Sequence, residues 1–197
     1  MDRRIGIFGG TFNPIHKAHY DIALEFIDKF SLDLLYVIPN NIPPLKESHG
    51  VSGSERLEML EIAFSGQDKI VVSDTEIRRG GMSYTRDTVA ELKEKHIGCE
   101  LFLLIGDDWI DNFDKWKDYK FILDNAHLVI AYRGERDISH SLARLKDVSE
   151  NIFLLENGDC LTVSKDKAFK EEGVAEAEGI MVDGLGVGDV GDRKSVV

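Results

Sequence analysis

The chain has 197 residues, 36 acidic and 24 basic, and its net charge of −12 argues against a nucleic-acid partner, because binding a phosphate backbone requires a basic surface. With 43% hydrophobic residues and no apolar run near the roughly 18 residues that span a bilayer, we expect a globular, cytoplasmic protein with no membrane partner. The length fits one domain, and two distant cysteines exclude a disulfide framework.

The most informative segment, Gly9 to His19, follows a first predicted strand over Arg4–Phe8. The adjacent glycines Gly9 and Gly10 let the backbone approach a phosphate, and the helix that follows offers unpaired N–H groups to an anion. His16 and His19 are three residues apart near that helix start, so both imidazoles can lie on one face. Each imidazole could donate a hydrogen bond to a phosphate oxygen. The segment therefore predicts a turn that binds phosphate.

The next segments predict a strand–helix–strand unit followed by a loop. Apolar residues at intervals of three and four predict a helix over residues 17–30, and the run Leu34–Pro39 predicts a buried parallel strand. Proline, glycine and polar residues predict a surface loop over residues 40–53. The following helix is expected to begin with Ser54 as its N-cap.

Helices continue to alternate with short apolar strands along the chain. The strongest strand signal is Leu101–Ile105, which ends at Gly106-Asp107-Asp108. Further strands are predicted over residues 70–73, 127–132 and 152–155, and further helices over residues 85–95 and 109–123. This alternation predicts an α/β fold, a doubly wound, mostly parallel sheet with helices on both faces. Ligands of such sheets lie at the carboxyl ends of the strands, where both the Gly9 turn and Asp108 are found.

The stretch over residues 165–197 differs from the rest of the chain. It holds six of the eighteen glycines and lacks apolar periodicity. We therefore expect one folded domain over residues 1–164 and a glycine-rich, disordered tail over residues 165–197.

Four separated segments, in this order, resemble the bacterial nicotinate-nucleotide adenylyltransferases of the nucleotidyltransferase superfamily over about residues 4–163. They are Gly9–His19, Pro39–Lys46, Arg78–Thr85, and Gly106-x-Asp108 followed by Phe113, Trp116 and Tyr119. One departure is Ala18, which stands where the family has glycine. The resemblance implies a Rossmann-like nucleotidyltransferase fold over residues 1–164.

The resemblance also implies a reaction. Adenylate would pass from ATP to nicotinate mononucleotide, giving deamido-NAD and pyrophosphate in NAD biosynthesis, with Mg²⁺ on the phosphates. No covalent enzyme intermediate is expected, so the protein would position two anions and stabilise the charge that develops on pyrophosphate.

Site residues follow from the same resemblance. His16 and His19 are implied to be catalytic, in contact with the ATP phosphates. The residues implied to bind ATP are Gly9, Gly10, Thr11, Phe12, Gly106 and Asp108, of which Asp108 would accept hydrogen bonds from the ribose hydroxyls. The residues implied to bind nicotinate mononucleotide are Asn40 and Lys46 at its phosphate, Tyr84 and Thr85 at its carboxylate, and Trp116 stacked on its ring.

The resemblance fails near the carboxyl terminus. The family ends with an element whose helix start and arginine contact the ATP phosphates. Val163-Ser164 matches the beginning of this element, and the sequence departs from it from Lys165 onward. The last residues, Asp192–Val197, match the translation of a sequencing adapter, so the tail is either disordered or an artefact. Loss of the element would weaken ATP binding and turnover.

Two alternatives remain beside this activity. The acceptor could be nicotinamide mononucleotide or another phosphorylated molecule, or the chain could be a catalytically silent nucleotide-binding protein. A nicotinamide-dependent dehydrogenase is disfavoured, because no Gly-x-Gly-x-x-Gly fingerprint follows the first strand. The sequence leaves metal ligands and the oligomeric state open, a homo-oligomer included.

Overall fold

One sheet organises the chain in this computed structural model, which describes residues 3–44, 50–134 and 136–156 and the backbone of residues 159–162. Its strands are β1 (Arg4–Gly10), β2 (Leu34–Pro39), β3 (Ile70–Val72), β4 (Glu100–Gly106), β5 (His127–Tyr132), β6 (Ile152–Glu156) and β7 (Asp159–Thr162). They are ordered β3-β2-β1-β4-β5-β6-β7. All neighbours are parallel except β6 and β7, which are antiparallel.

Helices connect the strands. They are α1 (Lys17–Lys29), α2 (Gly53–Ala63), α3 (Thr75–Arg79), α4 (Thr85–Lys95), α5 (Tyr119–Asn125) and α6 (Ser139–Lys146), with a 3₁₀ helix over Asp107–Lys115. The predicted doubly wound, mostly parallel α/β fold is therefore confirmed. None of the helices in the described ranges is both long and apolar enough to cross a membrane.

The central strands are buried on both faces, which explains their continuous apolar runs. Along β4, Leu101 and Leu103 belong to one hydrophobic cluster, whereas Phe102 and Leu104 belong to the cluster on the opposite face. Successive side chains of a strand point to opposite faces, so both faces of this strand are covered by packing elements.

The order of the strands places a crevice between β1 and β4. From β1 the chain passes through α1 to β2 on one side, whereas β4 is followed by β5 and β6 on the other. Parallel sheets bind ligands where the strand order reverses, outside the carboxyl ends of the strands. The loop after β1 and the 3₁₀ helix after β4 meet at that point.

The structure corrects the prediction of one helix over residues 109–123. A 3₁₀ helix ends at Lys115, Trp116 is extended, and Asp118 has a left-handed backbone with φ of 50° before α5 begins. A residue with positive φ interrupts a right-handed helix, so the segment around Trp116 and Asp118 separates the 3₁₀ helix from α5.

Other elements also differ from the prediction. The N-cap of α2 is Ser52 and not Ser54, because the Ser52 hydroxyl accepts a hydrogen bond from the Glu55 backbone N–H at 3.2 Å. The prediction missed the short helices α3 and α6 and the strand β7. The predicted tail over residues 165–197 lies outside the described residues.

Candidate active site

A cleft of about 1250 Å³ opens at the carboxyl ends of β1 and β4. Every sequence-predicted site residue that the structure describes lines it: Gly9, Gly10, Thr11, Phe12, His16, His19, Asn40, Tyr84, Thr85, Gly106, Asp108 and Trp116. Lys46 lies outside the described residues. Residues far apart in the sequence thus share one cavity.

The two histidines stack on each other at the start of α1. His16 is the N-cap residue and His19 lies in the first turn, with ring centroids 3.7 Å apart and planes inclined by 27°. The His16 backbone N–H donates to His19 Nδ1 at 3.4 Å, so a neutral His19 carries its proton on Nε2. The pair therefore lies on one side of the helix, facing the cleft.

His19 is neutral at physiological pH in the absence of a ligand. Burial, with a smaller contribution from the charge of His16, lowers the pKa of His19 from 6.5 to about 4. The Phe12 ring packs edge-on against His19 at 5.2 Å and contributes to this apolar environment. His19 is consequently prepared to donate one hydrogen bond from Nε2 rather than to act as a permanent cation.

The adjacent glycines Gly9 and Gly10 differ in what lies next to the position that a side chain would occupy. A Cβ on Gly10 would lie 3.0 Å from the Phe12 ring, so glycine there lets Phe12 fold under the loop. A Cβ on Gly9 would meet no atom of the described part of the chain within 4 Å. Gly9 therefore borders open cleft volume that a ligand can occupy, whereas Gly10 serves the packing of the loop itself.

Neighbouring aspartates after β4 have different surroundings. Asp107 is 1% exposed and accepts hydrogen bonds from the Arg133 backbone N–H at 3.2 Å and from Arg133 Nη2 at 3.0 Å, which joins the ends of β4 and β5. Asp108 is exposed and lines the cleft. A Cβ on Gly106 would lie 2.5 Å from Asp108 Oδ1, so glycine there allows the carboxylate to fold back over the strand end.

Aromatic and charged side chains form the opposite end of the cleft. Trp116 is partly buried and contacts Phe113 at a centroid distance of 5.0 Å, and its buried Nε1 has no hydrogen-bond partner among the described residues. The Lys117 ammonium lies 4.4 Å from the centre of the Tyr84 ring. Tyr84 is the N-cap of α4 and makes no side-chain cap, which leaves N–H groups of the first turn for an anion.

Sequence reasoning missed two buried charged residues beside the cleft. Glu76 is 7% exposed, accepts a hydrogen bond from the Thr88 hydroxyl at 2.6 Å, and has a pKa raised chiefly by burial. Arg56 is 2% exposed and donates to the Thr11 carbonyl at 2.7 Å. A faint signal for Arg56 was its place near the N-terminus of α2, where the helix dipole disfavours a cation.

Comparison with known proteins gives one consistent result. A family model described as "Cytidylyltransferase-like" matches residues 7–167. Two bacterial relatives carry the name "Probable nicotinate-nucleotide adenylyltransferase". The Borreliella burgdorferi protein is 38% identical over 152 residues, which cover 77% of this chain and 76% of that protein. The Psychromonas ingrahamii protein is 41% identical over 133 residues, covering 68% and 62% respectively.

A solved structure shares the fold. It is the Plasmodium falciparum nicotinic acid mononucleotide adenylyltransferase complexed with NaAD, with a TM-score of 0.66 at 22% sequence identity. The superposition covers 78% of this chain and 75% of that one. At this identity the likeness shows a common fold.

Proposed function

The chain belongs to the nicotinate-nucleotide adenylyltransferases, within the cytidylyltransferase-like family, and on that premise we propose that it transfers adenylate from ATP to nicotinate mononucleotide. The acceptor phosphate oxygen attacks the α-phosphorus, the bond from that phosphorus to the bridging oxygen breaks, and pyrophosphate leaves. The observation that carries the proposal is the single cleft that brings the histidine pair, Asp108, Tyr84 and Trp116 together.

The phosphates of ATP would bind at the loop between β1 and α1. His16 and His19 lie side by side at the N-terminus of α1, where unpaired N–H groups and the helix dipole favour an anion. The open volume beside Gly9 would admit the triphosphate close to the backbone of Gly10 and Thr11, with Phe12 under the loop. Donors held in this way would stabilise the charge that develops on the leaving pyrophosphate.

The nucleoside of ATP would lie over the end of β4. The Asp108 carboxylate is exposed to the cleft and folds back over Gly106, so it would accept hydrogen bonds from the ribose hydroxyls. Asp107 is buried and pairs with Arg133, so its carboxylate is not assigned to the ribose. The two adjacent carboxylates thus have separate roles.

Nicotinate mononucleotide would bind at the other end of the cleft. The partly buried Trp116 would stack on the pyridine ring, since an aromatic face attracts a positively charged ring. The uncapped N-terminus of α4 at Tyr84 and Thr85 would hold the carboxylate, while Asn40 and Lys46 would approach the phosphate. A carboxylate at these N–H groups would favour the acid over the amide.

Mg²⁺ would accompany the triphosphate and neutralise part of its charge. The described residues contain no cluster of three or more His, Cys, Asp or Glu side chains able to hold a metal. Mg²⁺ commonly binds one or two carboxylates together with substrate phosphates. The carboxylates of the cleft wall are separate from one another, which fits an ion carried on ATP rather than one held by the protein alone. A reaction that consumes ATP also fits the cytoplasm as its location.

A pyrophosphate-release assay tests the proposal. The purified chain is incubated with ATP, Mg²⁺ and either nicotinate mononucleotide or nicotinamide mononucleotide. We expect release with both nucleotides and a clear preference for the acid. Preference for the amide would contradict the acceptor assignment, and ATP binding without release would indicate a silent nucleotide-binding protein.

A further inference from the structure

Arg56 is a buried cation that lies behind the wall of the cleft. It occupies the first turns of α2, is 2% exposed, and is absent from the cleft lining. It therefore has no direct access to either substrate. Its side chain nevertheless reaches the two loops that the proposed function assigns to ATP and to the acceptor.

The guanidinium divides its hydrogen bonds between these loops. Nη1 donates to the Thr11 carbonyl at 2.7 Å, and Nη2 donates to the Asn40 carbonyl at 2.6 Å. Nη1 also lies 3.3 Å from Asn40 Oδ1. The planar guanidinium presents its donors in a fixed geometry, so one rigid group sets the spacing of the two loops.

These contacts also determine how the Asn40 side chain is oriented. Its Oδ1 accepts from Arg56, so its Nδ2 is the atom that donates to the Thr11 hydroxyl at 3.2 Å. A direct backbone bond from Asn40 N–H to the Gly10 carbonyl, at 2.9 Å, completes the connection. Asn40 and Thr11 cannot reorient independently while Arg56 holds both.

The charge of Arg56 is not neutralised by an acidic partner among the described residues. Its hydrogen-bond acceptors in the described ranges, the oxygens of Thr11, Asn40 and Asn41, are all neutral. Burial accordingly lowers the pKa of the guanidinium from its usual value, although it stays protonated. A buried positive charge behind the phosphate loop is stabilised when an anion binds in front of it.

We infer that Arg56 is a positioning residue that couples the two substrate sites, so that an anion bound at the ATP loop strengthens binding of the acceptor at Asn40. This inference rests on the proposed function and adds a residue that never touches substrate. Coupling between two sites is reciprocal, and it is commonly worth about 5- to 150-fold in affinity.

Calorimetric titration measures this coupling directly. The affinity for nicotinate mononucleotide is determined with and without a non-hydrolysable ATP analogue and Mg²⁺, for the wild-type chain and for Arg56→Lys and Arg56→Met. We expect at least about fivefold tighter acceptor binding with the analogue in the wild type. The ratio should approach one in both variants, because a lysine ammonium keeps the charge but cannot span both loops.

Arg78→Met is the matched control. Arg78 is an exposed arginine on α3 whose side chain pairs with Asp74 at 3.4 Å, and it lies outside the cleft lining. Its substitution should preserve the coupling ratio. Circular dichroism checks that each variant is folded, and Arg56→Lys decides the test if Arg56→Met does not fold.

The outcomes separate the inference from the proposed function. A folded Arg56→Lys that keeps the wild-type ratio would overturn the inference and leave the proposed function intact. A wild-type chain that binds both ligands without coupling would overturn it as well. A wild-type chain that binds neither ligand would overturn the proposed function, and the inference with it.

Discussion

At the scale of single residues, the histidine pair carries the sharpest prediction. His16→Ala removes one proposed donor to the phosphates, and loss of a transition-state donor costs roughly 10²- to 10³-fold in turnover. We expect such a fall in kcat, measured by pyrophosphate release, with unchanged circular dichroism. His140→Ala, at an exposed position on α6, is the control that should keep its activity. Near-normal turnover of His16→Ala would refute the catalytic role.

The lowered pKa of His19 predicts how the free energy of unfolding changes with pH. Its pKa is lowered from 6.5 to about 4 in the folded protein, so between these values the unfolded chain binds more protons. The contribution of His19 to the free energy of unfolding is fully present above about pH 6.5 and is lost as the pH falls towards 4. Urea denaturation of the ligand-free protein across this interval should show a flatter decline for His19→Gln than for the wild type. Equal declines would show that His19 is not buried in the way the structure indicates.

At the scale of elements, the cap of α2 distinguishes two serines. Ser52 accepts from the Glu55 N–H, and Glu55 in turn accepts from the Ser52 N–H at 2.8 Å. Ser52→Ala should lower the free energy of unfolding by about 0.5–2 kcal/mol, the usual effect of losing an N-cap. Ser54→Ala, the position that sequence patterning favours, is the matched control and should cost less. The reverse order in urea denaturation would contradict this boundary of α2.

The segment after β4 shows how an element acquires a functional side chain. A continuous helix over residues 109–123 would have placed Trp116 at a regular helical position. The backbone is instead extended at Trp116 and left-handed at Asp118, and Trp116 both packs against the core and lines the cleft. Residue patterning predicted helical content there but not the interruption, since Asp118 adopts a backbone conformation for which glycine is the usual residue.

At the scale of the whole molecule, the cleft lies between two parts of the sheet, β3-β2-β1 and β4-β5-β6-β7. A substrate that contacts both parts binds the folded state and not the unfolded chain. ATP at about 100 times its dissociation constant should therefore add about 2.7 kcal/mol to the free energy of unfolding. Thermal denaturation with and without ATP measures the effect, and an inert salt at equal ionic strength is its control. An unchanged transition with ATP would contradict a nucleotide site in this cleft.

Patterns that depend on neighbouring residues were readable from the sequence alone. Strands such as β2 and β4 are continuous apolar runs because both of their faces are buried. The helix α4 spans the predicted residues because a single buried face repeats every three or four residues. The spacing of His16 and His19 likewise determined that they share a side of α1. The predicted family is confirmed by the comparisons, and the individual roles of the site residues stay predictions.

Only the tertiary structure decided the surroundings of individual charged side chains, because those surroundings depend on segments that meet across the cleft. Asp107 and Asp108 are equivalent in sequence terms, yet one pairs with Arg133 and the other faces the cleft. Arg56 gives only a weak signal in the sequence, and its buried position depends on carbonyl oxygens of Thr11 and Asn40, which are distant in the chain. The physical reason is that the environment of a charged group is formed by residues distant in the chain. The periodicity that predicts a strand or a helix lies within the residues of that element.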